Sequence, residues 1–393
     1  MTGPGAGSEL RARLLPAEIL PLFDDRFVRS CELVEEYVFR LALGIFRRLG
    51  LEASTVDAGT VVQIAARAGL RPELAEVPLG WILRLLAERG VVETLAVGGE
   101  GQRFILPAAV PVLDPEAIVE EQGRVDPRAL PAFAIAALAA EEYPRFLRGE
   151  AGGEEVLFGP GRASLWEAYF AETNPLYAIS NAVGAFAAER ALPPAGGEIL
   201  ELGGGLGSGA TSLIARLDAA GRLATIDRYR FTDVSIPFLR RGQKSLERLG
   251  RRVPLAFARL DMNRPFAEAG VPERGVSLVY GVNMLHVAHD LAFTLGEIRA
   301  ALRSDGALTF CECVRPFPDR PVHVELVFNL LQAFRGPRLH PVWRPNGGFL
   351  TPEQWTAALT ANGFTDVRVF PDIAAVREVF PSLVVGAITA RPA

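Results

Sequence analysis

The stretch Glu201-Leu202-Gly203-Gly204-Gly205-Leu206-Gly207 constrains this chain most, because it ends an apolar strand-like run, EILEL, and opens a helical one. Glycines at 203, 205 and 207 permit tight backbone geometry and bring the main chain close to a ligand without side-chain collisions. From residue 198 onward strand-like and helical runs alternate: EILELGG, a helix to 220, YRFTDVS, a helix to 249, LAFARLD, VSLVYGVN, a helix to 303, and ALTFCEC. Such alternation implies parallel strands joined by crossover helices. Thr351-Pro352 opens one more helix, and then FTDVRVF and LVVGAITA follow too closely for a full helix between them, so they predict an antiparallel hairpin at the sheet edge. The fold class is α/β, with a Rossmann-like, seven-stranded, doubly wound sheet.

A chain of 393 residues exceeds one hydrophobic core, and 49% hydrophobic against 22% charged residues supplies enough apolar material for two. The pattern divides it into a flexible N-terminus at 1–20, a winged-helix-like domain at 21–110, a helical linker and acceptor-pocket region at 111–195, and the Rossmann-like domain at 196–393. In the second of these, Leu33, Val34, Tyr37, Val38, Leu41, Ile45 and Phe46 recur at helical spacing before Gly50. Helices over 60–68 and 79–89 follow, and strand-like runs at 91–97 and 102–106 flank Gly98-Gly99-Glu100-Gly101, a hairpin turn signal. Helix, helix, helix, hairpin is the order of a winged helix. Its second paired helix, however, carries an apolar stripe of Trp81, Ile82, Leu85 and Leu86 where a recognition helix would present polar and basic side chains. With a net charge of −5, no nucleic-acid partner is expected.

Residues 107–130, rich in proline and acid, read as a connector, and helices over 132–147 and 164–190 follow. The three cysteines, Cys31, Cys311 and Cys313, supply neither a disulfide framework nor a zinc set, and fit a reducing compartment. The opening MTGPGAGSEL lacks the basic start and apolar run of a signal peptide, and no window reaches the roughly 18 apolar residues of a membrane span. A cytoplasmic location without a membrane partner is the expectation.

The glycine stretch can be a plain strand-to-helix turn or a nucleotide fingerprint, but the dinucleotide pattern starting at Gly203 demands glycine or alanine where Ser208 stands. The spacing E-x-G-x-G-x-G suits S-adenosylmethionine instead, which has no pyrophosphate to deliver to a helix N-terminus. Glu201 can attract the cationic amino end of that cofactor, directly or through water. Asp233, ending the next strand, can accept from both ribose hydroxyls. Asp261, after the third strand, can accept the adenine amino hydrogen while Met262 covers the ring. Gly203, Gly205 and Asn283 complete the expected cofactor set. The C-terminal ends of parallel strands, where these acids fall, are where open α/β sheets bind ligands.

Across 156–375 the stretches VLFGPG, ILELGGGLG, YRFTDVSIPFL, VNMLHVAHDLAFTL, ALRSDGALTFCE and FLTPEQWTAALTANGF resemble, in order and spacing, the methyltransferase domains embedded in polyketide synthases. The first 110 residues are similar instead to the winged-helix dimerisation domain of small-molecule O-methyltransferases. That likeness implies a homodimer, with the apolar stripe at 81–86 in its interface.

Methyl transfer from a sulfonium is an in-line displacement, leaving alignment and removal of the acceptor's proton to the protein. His286, just beyond the strand VSLVYGVN, is the candidate base. The competing possibility is a histidine that caps a helix or packs on the sheet. Glu312 favours the base: Cys311 and Cys313 share one face of the next strand, so Glu312 points to the other and meets His286 if the strands are adjacent. A carboxylate in an apolar strand needs a partner, and here it would orient the imidazole and stabilise imidazolium. The resemblance implies the same pair of roles. Over 321–343, which in that family covers the acceptor pocket, Phe328 and Trp343 are expected to bind substrate, with His323, His340 and Phe334 nearby. No HExxH, acidic cluster or cysteine set appears, so metal-independent chemistry is expected.

The first reading is O-methylation of a hydroxyl, enol or carboxylate on a polyketide-derived small molecule. Its alternative is C-methylation of an activated carbon, with an acyl carrier protein presenting a β-ketoacyl chain. A non-catalytic winged-helix regulator is the remote third.

Overall fold

The computed structural model describes residues 9, 11–96, 102–248 and 253–393. The chain forms two compact units that do not follow chain order. A helical unit comprises Asp25–Tyr169 and Asp319–Arg335, and a sheet unit comprises Phe170–Pro318, Gly336–Ala393 and the described residues up to Asp24.

The helical unit begins with α1, Asp25–Arg48, which buries Leu33, Val34, Tyr37, Val38, Ile45 and Phe46 along one face and stops at Gly50, where φ is 64°. The next major helix, α2, spans Val61–Arg67 and opens on a capping box: Gln63 N–H donates to Thr60 Oγ1 at 3.3 Å and Thr60 N–H to Gln63 Oε1 at 3.0 Å. It leads into α3, Pro72–Glu88, with proline in its first turn. Strands β1, Glu93–Ala96, and β2, Gln102–Ile105, pair antiparallel as the wing; the Gly98-Gly99-Glu100-Gly101 turn lies outside the described residues. The stripe Trp81, Ile82, Leu85 and Leu86 is buried within this protomer, each such side chain contributing roughly 1.5–3 kcal/mol. The apolar face that motivated a dimer is therefore already covered.

The proline- and acid-rich connector contains a helix, Glu116–Val125. Its Gln122 is fully buried and donates to Ser30 Oγ at 2.9 Å. The long helix α4, Leu130–Leu147, carries Tyr143, whose hydroxyl donates to the Leu326 carbonyl at 2.7 Å and ties the 319–335 segment into this unit.

In the sheet unit, α5, Pro175–Ala191, precedes β3, Glu198–Glu201. Then follow α6, Ser208–Ala219; β4, Arg228–Asp233; α7, Ile236–Glu247; β5, Leu255–Arg259; β6, Val276–Val282; α8, Leu291–Ala301; β7, Leu302–Cys313; α9, Pro352–Ala361; β8, Phe364–Phe370; and β9, Val385–Pro392. The seven-stranded order is β5-β4-β3-β6-β7-β9-β8. The first five strands are parallel, while β9 runs antiparallel to both β7 and β8. The expected terminal hairpin is present, and its second strand, not its first, adjoins β7. Strand β6 is buried along its whole length, the behaviour of a central parallel strand covered on both faces.

From β3 the chain winds outward to β4 and β5, then returns to lay β6 on the other side of β3. This reversal opens a crevice beyond the carboxyl ends of β3 and β6, where such sheets bind ligands. Helix α5 approaches closely enough that a Cβ on Gly184 would lie 2.9 Å from Cys311 Cβ. Of residues 1–20, expected to be loose, 1–8 and 10 lie outside the described residues, while Leu15 and Ile19 are buried. Among the described residues no helix is long and apolar enough to cross a membrane.

Candidate active site

The glycine loop is built as its spacing requires. Gly203, Gly205 and Gly207 have φ of 62°, 58° and 88°, a region glycine enters without strain. A Cβ on Gly203 would come 2.9 Å from Met284 Cβ, so the loop lies against the turn that follows β6. A Cβ on Gly205 would meet nothing within 4 Å; that side of the loop is open.

Asp233, at the end of β4, braces this loop. One carboxylate oxygen accepts the Gly205 N–H at 2.9 Å and the other the Ser235 N–H at 2.7 Å. Each oxygen keeps a lone pair for a ligand hydroxyl. Burial raises the Asp233 pKa, and the two backbone bonds oppose that rise.

Glu201 ends β3 and is 1% exposed. Its carboxylate accepts the Tyr229 hydroxyl at 3.0 Å. Burial pushes its pKa up to about 8, against the Tyr229 and Ala210 hydrogen bonds. A nearby ammonium would restore its charge.

Asp261 and Met262 lie just past β5, both half-buried. Asp261 Oδ1 accepts the Asn263 backbone N–H at 2.9 Å, and the Met262 carbonyl accepts Thr294 Oγ1 at 2.9 Å. Asn283 is in the left-handed region, with φ of 52°. Its side-chain oxygen accepts the Cys313 N–H at 3.0 Å, bridging the ends of β6 and β7.

The paired histidine and glutamate meet. His286 sits on a short turn after β6, 4% exposed, and its Nδ1 lies 2.6 Å from Glu312 Oε2. Glu312 is fully buried, on the face of β7 opposite Cys311. Its Oε1 also accepts three successive backbone N–H groups, from Met284 at 3.0 Å, Leu285 at 2.8 Å and His286 at 3.2 Å. With Glu312 accepting from three amides, the Nδ1 contact is assigned as a fourth N–H donated to the carboxylate, which leaves Nε2 as the unprotonated nitrogen. The Phe349 ring packs against the imidazole, with centroids 4.7 Å apart.

Three elements of this site escaped the sequence pattern. The backbone amides of 284–286 have no side-chain signature, and Met284 marks its contact with Gly203 only in three dimensions. Arg344, fully buried, donates to the carbonyls of His286 and Ala288, and only its place among apolar neighbours hinted at burial.

The expected substrate residues are not brought together within one unit. Phe328 lies in the helical unit, ring centroids 6.5 Å from Trp166 and 6.0 Å from Phe334. Trp343 lies in the sheet unit, buried and stacked on His340 at 4.1 Å with planes 10° apart. His323 is in the helical unit, and burial with the Arg320 charge lowers its pKa to about 4. Among the described residues no group of three or more His, Cys, Asp or Glu is placed to hold a metal ion.

The sheet order with its terminal hairpin, the glycine loop and the strand-end acids define the class I, S-adenosylmethionine-type methyltransferase fold. No protein-family model matches the chain. It is 28% identical over 226 residues, 57% of its length, to the highly reducing polyketide synthase ausV of Aspergillus calidoustus. It is 30% identical over 264 residues, 62% of its length, to 3-methylorcinaldehyde synthase of Sarocladium schorii. The chain spans only 8% and 9% of those two proteins. Among solved structures, the CurJ carbon methyltransferase superposes with a TM-score of 0.79 at 21% identity, covering 99% of this chain and 98% of that one. The citrinin polyketide synthase CMeT domain gives 0.72 at 18% identity, covering 98% and 95%. The trans-methyltransferase CalH, in complex with SAH, gives 0.61 at 19% identity, covering 93% and 92%. In sequence the chain is similar to short stretches of polyketide synthases, and in fold to carbon methyltransferase domains.

Proposed function

We propose that this protein methylates an activated carbon, the one between the two carbonyls of a β-ketoacyl chain presented by an acyl carrier protein, with S-adenosylmethionine as donor. The observation that carries it is the buried His286–Glu312 pair, set on the turn that packs against the glycine loop. The sequence favoured oxygen because the front end resembles that of O-methyltransferases. A carbon methyltransferase matches 99% of this chain, front end included, so that front end no longer argues for oxygen.

The crevice fits the cofactor. Gly205 leaves open space where a side chain would intrude, Asp233 has lone pairs for a ribose, and Glu201 is a buried acid suited to an ammonium. When bound, S-adenosylmethionine supplies a methyl carbon on a sulfonium, open to displacement. The chain's own residues do the rest. Nε2 of His286 takes the proton from the acceptor carbon, breaking that C–H bond and leaving its electron pair conjugated with the flanking carbonyls. Glu312 holds Nδ1–H and stabilises the imidazolium that forms. The burial of this pair excludes water, which strengthens the attraction between imidazolium and carboxylate.

The test is methyl transfer to a β-ketoacyl thioester, carried on pantetheine or on a carrier protein, with the product assigned by two-dimensional NMR. A new methyl on the α-carbon is expected. A methoxy product would overturn the carbon assignment, and no transfer together with no binding of S-adenosylhomocysteine would overturn the cofactor.

A further inference from the structure

The turn that carries His286 is held from two sides by opposite charges. Glu312 gathers the N–H groups of residues 284, 285 and 286. Arg344 gathers carbonyls: Nη1 donates to Ala288 at 2.6 Å and Nη2 to His286. Its own loop is braced, with Arg344 N–H donating to the His340 carbonyl at 3.0 Å and His340 N–H to the Arg344 carbonyl at 2.9 Å.

The guanidinium is fully buried, and its Nε has no hydrogen-bond partner. No carboxylate is in ion-pair contact with it among the described residues. A buried cation in that state is expensive, costing several kcal/mol of desolvation, and what it holds in return is the pair of carbonyls that fix the His286 turn. Burial lowers the Arg344 pKa to about 10, and the acids that oppose this are Glu312 and Asp290.

We infer that Arg344 is a positioning residue for His286, fixing the carbonyl side of its turn as Glu312 fixes the amide side. This rests on the reading of His286 as the base. Within the sheet unit, the charged and titratable groups around the imidazole are few. Glu312 on β7 touches it. Arg344 binds its carbonyl, and Arg315 donates to the carbonyl of Phe349, whose ring packs on it. Asp290, at the head of α8, is paired with Arg338 at 2.7 Å.

The experiment compares R344Q and R344K with wild type by kcat and KM of methyl transfer, by binding of S-adenosylhomocysteine and by thermal melting. R344Q is too short, with a single nitrogen, to bridge both carbonyls, so kcat falls by about 10–10²-fold while KM stays within about twofold. R344K can reach one carbonyl at a time, so it recovers part of the loss and its kcat falls only several-fold. Cofactor affinity stays within about twofold of wild type in both, since neither change touches the glycine loop. A kcat within about twofold of wild type in folded R344Q overturns the inference; if R344Q does not fold, a wild-type kcat in R344K overturns it. H286A serves as the control: full activity there refutes the base itself, whereas an inactive H286A with a wild-type kcat in R344Q refutes only Arg344.

Discussion

Replacing Glu312 with glutamine changes one atom and sets two hydrogen-bond donors against each other. The Gln carbonyl oxygen can keep the three backbone N–H bonds that Oε1 now accepts at 2.8–3.2 Å. The amide nitrogen must then face Nδ1–H across 2.6 Å. The imidazole has two ways out: lose the bond, or move its proton to Nε2 and accept at Nδ1. Leaving a buried donor unmet costs about 1–3 kcal/mol, and the bond forgone is worth about 1 kcal/mol more. The flipped tautomer is therefore favoured by about 2–4 kcal/mol, at least tenfold. In that tautomer the nitrogen that should take the acceptor's proton already carries one. Turnover in Glu312→Gln should fall by about 10²–10⁴, the full contribution of a positioned base, while S-adenosylhomocysteine affinity is unchanged. Methyl transfer at saturating substrate reads the first quantity, calorimetry the second, and ¹⁵N spectra of His286 report which nitrogen holds the proton. Turnover within about threefold of wild type, or a proton still on Nδ1, would refute the reasoning.

His286→Ala should lose a similar 10²–10⁴ in turnover with cofactor binding intact, and the double variant should fall little further because the two groups act as a unit; kinetics of the three proteins side by side check this. Asp233→Ala removes the acceptor for Gly205 and Ser235 N–H as well as any ribose bond, so cofactor binding should weaken by about 1.5–3 kcal/mol by calorimetry. Glu201 has a folded-state pKa near 8, above its ordinary value, so its contribution to stability is present in acid and is lost as pH rises toward and through about 8. Glu201→Gln should remove that dependence, melting a few degrees above ligand-free wild type at pH 9 and nearly level with it at pH 5, while binding S-adenosylhomocysteine more weakly; parallel melts of the two proteins that differ equally at both pH values would count against it.

How far the site was legible follows from how each contact is encoded. Glu312 could be aimed at His286 because β7 alternates regularly through Cys311 and Cys313, so side-chain parity alone fixed its face. Its three bonds to backbone N–H groups were not legible, since every residue carries an amide and only the turn's geometry selects those of 284–286. Arg344 stands 32 residues beyond Glu312 in a run with neither helical nor strand period, and its placement depends on a loop closing by backbone pairing with His340. In the helical unit the difficulty was of another kind. The stripe at Trp81, Ile82, Leu85 and Leu86 shows that a face must be covered, without saying by what. The structure covers it from within the protomer, where a second copy had been expected. The connector hid the helix Glu116–Val125 because its acids and flanking prolines read as loop, although Ile118 and Gln122 sit one turn apart and bury together. Of residues 321–343, expected to cover an acceptor pocket, those up to 335 belong to the helical unit, where the Leu326 carbonyl accepts the Tyr143 hydroxyl, while Trp343 belongs to the sheet unit. Pattern along the chain reports which surfaces are buried and what chemistry lines them; which partner buries them is decided by contacts between segments far apart in sequence. His286 and Glu312 were found because adjacent parallel strands reduce that long-range question to a local one, and Arg344 was missed because no ladder connects its loop to theirs.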